Sequence, residues 1–205
     1  RPGTWYACCR QGRLYIYENN MSRFEYLSVL ISIVIALGMS EIVSTWSRLL
    51  RARARVDFYW LHSFWTVFMV LMMVQFWWGF WEFRVVESWS FPGLVAVVTE
   101  SLVLVLAAMA LLPEPGQGRN IDLRSHYFAQ CRVVFTLGAL LLLLLTVVDA
   151  LVGGQPFLHL ENAVRLPAII LTTSAALFVN ERFHVLFTLT AAALFIVFVS
   201  VSFHA

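Results

Sequence analysis

Apolar residues fall into six long blocks, at 26–46, 58–81, 91–112, 131–151, 163–179 and 183–203, separated by short polar or proline- and glycine-bearing stretches. A helix rises about 1.5 Å per residue, so blocks of this length reach across the roughly 30 Å hydrocarbon core of a bilayer. The expected fold is all-α, a polytopic transmembrane helical bundle of about six spans. The fifth block is the weakest. It is short, begins beside Arg165 and Pro167, and carries Thr172, Thr173 and Ser174 near its middle. Snorkelling of Arg165 to the interface would rescue its length, and the alternative is a re-entrant segment.

Within the first block a stripe of small residues recurs every fourth position: Ser28, Ser32, Ala36, Ser40 and Ser44. In lipid, helices gain little from burying leucine on leucine, and small residues let backbones approach. The stripe therefore marks this helix as the expected packing hub, against a chance scatter of serines. The second block is crowded with aromatics at both ends, among them Phe58, Tyr59, Trp60, Trp77, Trp78 and Trp81. That distribution predicts interfacial belts; a cofactor-stacking box is the other reading.

Residues 1–20 lack the continuous apolar core of a signal peptide. They are expected to be a non-native or disordered extension, with Met21 opening a single transmembrane domain over 21–205. The segments FEYLSVLIS, FYWLH and QFWWGFW resemble a family of small bacterial multi-pass integral membrane proteins. The resemblance covers mainly the first two spans. It implies a bacterial inner-membrane location and no particular activity.

Composition agrees with that class. The chain has 205 residues, 60% hydrophobic and 13% charged, and a mean hydropathy of +0.79; soluble domains carry roughly 25% charged residues. Lysine is absent and all 14 cations are arginine, which excludes a lysine Schiff base and a Walker A phosphate loop. No basic run is interleaved with aromatics on a polar background, so nucleic acid is not an expected partner. The expected partners are the lipid bilayer and either a homo-oligomer or a separate membrane protein. Arg48, Arg51, Arg53, Arg55, Arg119, Arg124, Arg132 and Arg182 fall in alternate connections, with Arg23, Arg84 and Arg165 on the other side. This asymmetry places the basic connections in the cytoplasm.

Glu100 is the sharpest chemical signal. It lies about 13 Å into the third span, near the midplane, where an ionised carboxylate costs several kcal/mol unless paired or hydrated. Such a group is either functional, as a proton carrier, cation ligand or counter-ion, or structural glue between helices. Gln75 is expected at neighbouring depth on the second span, within hydrogen-bonding reach of Glu100. Thr99, Thr172, Thr173 and Ser174 would complete a polar lining, unless their hydroxyls bond their own helix at i−4. No arginine is expected at that depth, and Asp149 is expected to reach water.

Glu41 and His62 form a second expected pair, one turn inside the basic side, either pH-responsive or a plain interfacial contact. His62, His126 and His184 share that side but have no metal-ligand spacing, and the cysteines form no metal knuckle, so no metal site and no cofactor is expected. No GxSxG elbow or HExxH helix is present, and the chain leans away from enzymes. The reading that follows is a small transporter or channel subunit with a midplane carboxylate. The alternatives are a non-catalytic scaffold or assembly subunit and a haem-binding electron-transfer subunit.

Overall fold

The computed structural model describes residues 22–86, 88–114, 120–152 and 160–204. The proposed extension over 1–20 lies outside the described residues. The chain is an all-α bundle of six helices: α1 (Arg23–Arg51), α2 (Trp60–Phe80, continued by a 3-10 turn Trp81–Val85), α3 (Phe91–Leu111), α4 (Leu123–Leu151), α5 (Leu160–Leu177) and α6 (Glu181–His204). Five of them are long and apolar enough to cross a membrane; α5 is the shorter one.

Local chemistry sets the helix starts. Ser22 closes a capping box on α1, its Oγ accepting from the Glu25 amide at 3.2 Å while Glu25 Oε2 accepts from the Ser22 amide at 2.6 Å. Ser90 caps α3 just ahead of Pro92, where a missing N–H costs nothing. Asp122 caps α4 by accepting from the amides of Arg124 and Ser125 at 2.9 and 3.0 Å. The connections before α2 and α4 are tied by a two-residue parallel bridge, β1 (Val56–Asp57) with β2 (Ile121–Asp122), pairing Val56 with Ile121 and Asp57 with Asp122. Both connections therefore lie at one end of the bundle.

The central helix is α3, which packs on α1, α2 and α4. Half of its most apolar window (50%) is buried, against 28% for α1, so α3 and not α1 is the hub. Its buried face includes Gly93, Ser101, Ala107 and Ala108, small residues that let neighbours approach. Of the serine stripe, Ser32 reaches α2 by accepting from the Trp77 indole N–H at 3.1 Å, but the stripe is not the buried seam of α1. Its buried residues are Phe24, Leu27, Ile31, Ile35, Gly38, Ile42 and Thr45, each three or four apart, close to a coiled-coil seam. Ser28 and Ser32 are half-buried, and Ala36, Ser40 and Ser44 are exposed. The close approach falls at Gly38, where an added Cβ would lie 2.7 Å from Met73 Cε and 2.9 Å from Val105 Cγ2. One glycine on a bulky seam brings α1 close onto α2 and α3.

α5 packs along α4. Near its start Arg165 meets Asp149 at the end of α4. Just beyond its end Glu181 meets Arg124 at the beginning of α4.

Candidate functional site

A cavity of about 270 Å³ lies among α2, α3, α4, α5 and α6. Its walls are mostly apolar, aliphatic side chains alternating with aromatic rings. Trp65 stacks on Phe187 with ring centroids 5.1 Å apart and meets Phe135 edge-on at 5.0 Å. Phe68 meets Phe195 at 5.1 Å. Trp65 is held in place by its indole N–H, which donates to Thr188 Oγ1 at 3.0 Å. The polar lining comprises Gln75, Glu100, Asp149, Arg165 and Thr172, with Glu82 at the rim where α2 gives way to its 3-10 turn.

Glu100 is 2% exposed and its Oε1 has no hydrogen-bond partner. A buried carboxyl oxygen without a partner is rare enough in a folded chain to need an account. Arg165 Nη1 donates to Asp149 Oδ2 at 2.6 Å, with side-chain exposures of 9% and 25%. Both groups lie within electrostatic reach of Glu100. No ion pair joins Arg165 to Glu100 among the described residues, and Asp149 keeps a quarter of its side chain exposed while holding Arg165. The two face each other across the α4–α5 connection, so neither snorkels away from the bundle; each is the other's partner.

The other expected lining residues divide. Thr172 and Gln75 border the cavity, but no hydrogen bond joins Gln75 to Glu100 among the described residues. Thr99 is exposed on the far side of α3 and donates to Val95 O at 2.8 Å. Thr173 and Ser174 donate to Ile169 O and Ile170 O, both at 2.8 Å. These three hydroxyls bond their own helices, as i−4 carbonyls favour, and line nothing.

The Glu41–His62 pair is not formed. Glu41 accepts from Arg48 at 2.8 Å, two turns along its own helix and half exposed. His62 is buried and its Nε2 lies 3.0 Å from Leu111 O, which also meets His126 Nε2 at 3.1 Å. A carbonyl only accepts, so both rings carry their proton on Nε2 and donate to the buried C-terminal end of α3. His184 turns elsewhere, with Nδ1 2.9 Å from Tyr127 OH. Among the described residues no group of three or more metal-ligating side chains gathers.

At that same end Tyr59 donates to Glu181 Oε1 at 3.1 Å, and Arg124 Nη2 donates to Glu181 Oε2 at 2.8 Å. Burial first, and then the Glu181 carboxylate, push the Tyr59 hydroxyl up to about 12. The aromatics of α2 divide between lipid and core. Phe58, Trp60, Trp77, Trp78 and Trp81 are exposed, while Trp65 and Phe80 are buried.

No family model, curated protein or solved structure matches this chain. Function therefore rests on the cavity itself. The Asp149–Arg165 pair is the part sequence reasoning missed. The usable signal was a carboxylate and a guanidinium on either side of one connection, equidistant from a membrane boundary.

Proposed function

We propose that the chain is a small multi-pass transporter or channel subunit in a bacterial inner membrane, with Glu100 on the translocation path. The observation that carries this reading is the unpartnered, buried Glu100 carboxyl bordering a cavity that also holds an internal ion pair. An apolar bundle needs no carboxyl there for stability, since burying one is costly in hydrocarbon. Thr172 and Gln75 provide further polar groups along the same wall. The end carrying the β1–β2 bridge also carries Arg48, Arg51, Arg53, Arg55, Arg124 and Arg182, and this is the end assigned to the cytoplasm.

The test is ion and proton flux in proteoliposomes, wild type beside Glu100→Gln. Flux in the wild type that disappears in the variant supports the reading; flux unchanged by the substitution overturns the assignment of Glu100.

A second reading has its own observation. Ala36, Ser40 and Ser44 form an exposed small-residue face on α1. It suits a scaffold or assembly subunit that packs through α1, either as a homo-oligomer or on another membrane protein. Substituting Ala36 or Ser40 with Leu would then break a detergent-stable complex without touching flux. For the haem-subunit alternative, His62 and His126 are both engaged at the Leu111 carbonyl, and among the three histidines His184 alone has an unpartnered Nε2, buried beside Tyr127, Phe128 and Phe135.

A further inference from the structure

We propose that the cavity binds a small hydrophobic organic cation of the quaternary-ammonium type, with Glu100 as its counter-charge and the rings of Trp65, Phe68, Phe135 and Phe187 as its walls. The inference deepens the transport reading by naming the class of cargo, and rests on that reading for its biological sense.

Charge balance argues for a cation. Glu82, Glu100 and Asp149 border the cavity against the guanidinium of Arg165. Arg165 is engaged at 2.6 Å by Asp149, and no ion pair joins either of them to the Glu100 carboxyl among the described residues. Its Oε1 is buried and accepts no hydrogen bond, and the Glu100 side chain is among those that line the cavity.

Wall chemistry argues for an organic cation. Aromatic faces attract cations through their quadrupole, and quaternary ammonium groups are the ligands for which such walls are best suited. A divalent metal would need several oxygen or nitrogen ligands at once, and the described residues gather no such group. A hydrated alkali ion would exchange its water shell for rings. A quaternary ammonium has no N–H to satisfy and loses little by leaving water for an apolar wall with one carboxyl. Size agrees: cavities of about 150 Å³ already admit a benzene ring, and this one is about 270 Å³.

The experiment titrates tritiated benzyltrimethylammonium onto the purified full chain in lipid nanodiscs. Saturable binding is expected, with competition by tetraethylammonium. The neutral carbon isostere, neopentylbenzene, should compete at least about tenfold less well, the scale of one desolvated cation–ring contact. Glu100→Gln should lose that discrimination and Glu100→Asp should keep most of it. An isostere that competes as well as the cation, or no saturable binding at all, overturns the proposal. The wild-type competition decides the matter even if Glu100→Gln fails to fold. Proton or sodium flux that depends on Glu100, without organic-cation binding, would overturn this inference and keep the transport reading. Discriminating binding without flux under any gradient would do the reverse.

Discussion

Two arginine–carboxylate pairs sit at opposite ends of α4. Arg124–Glu181 spans 2.8 Å with side chains 58% and 46% exposed; Arg165–Asp149 spans 2.6 Å with 9% and 25% exposed. The geometries are nearly the same and the energetics are not. Water and salt screen the first pair, and holding two long side chains together offsets much of its attraction. The second is largely cut off from solvent, so its charges interact strongly but are also costly to have placed there. The exposed pair can be lost cheaply. Removing half of the buried pair strands the other half inside the bundle.

The largest effect should come from breaking that contrast at Arg165. Arg165→Met leaves Asp149 unpaired beside Glu100, with a destabilisation on the order of 3 kcal/mol. The double variant Arg165→Met with Asp149→Leu should recover most of it, because no charge is stranded. Thermal unfolding in detergent checks both, and a double variant as unstable as the single would contradict the buried-pair account.

Next comes the His62–His126 pair at the other end. Either histidine alone satisfies Leu111 O, so replacing one with Phe should cost much less than replacing both. The double change leaves a helix-end carbonyl without its donors, worth about 1–3 kcal/mol. Additive single effects would show that the two rings do not share this acceptor.

Tyr59→Phe should cost about 1 kcal/mol near neutral pH, the usual worth of one hydrogen bond, and it also has a pH signature. The fold favours the neutral hydroxyl, so its contribution is complete below the ordinary tyrosine value of 10.0 and disappears as pH rises through about 12. Wild type and variant should therefore converge in stability across that interval; a constant difference would contradict the link to Glu181.

The smallest effect belongs to Arg124 and Glu181. Removing Arg124, which leaves the Tyr59–Glu181 hydrogen bond in place, should shift the melting temperature only marginally, and molar salt should erase the Arg124–Glu181 coupling measured by a double-mutant cycle.

The same contrast explains what was legible in the sequence. Spans were, because hydrocarbon thickness imposes a length that apolar blocks display directly. Glu100 was, because one carboxylate in a Val- and Leu-rich block has no other explanation nearby. Asp149 and Arg165 were not, because each on its own has an adequate interfacial account, and only the folded α4–α5 hairpin brings them together. The α1 seam was misread because a row of serines is more conspicuous than Ile31, Ile35, Gly38 and Ile42, which look like ordinary membrane filling. Gly38 shows the difference between a small residue and a small residue that something packs against. The β1–β2 bridge is two residues per strand, too short to leave any pattern.

The position of Glu100 has a consequence for biogenesis. α3 leaves the ribosome before Asp149 and Arg165 have been made, so its carboxyl enters the bilayer without its later neighbours. A charge at the centre of a helix raises the insertion free energy by about 2.5–3.5 kcal/mol, while each Val or Leu lowers it by about 0.3–0.6. Of the five long helices, α3 and α4 are the most apolar. The surplus of Val and Leu around Glu100 thus has a task in time as well as in space: it holds the third helix in the membrane until the rest of the cavity arrives.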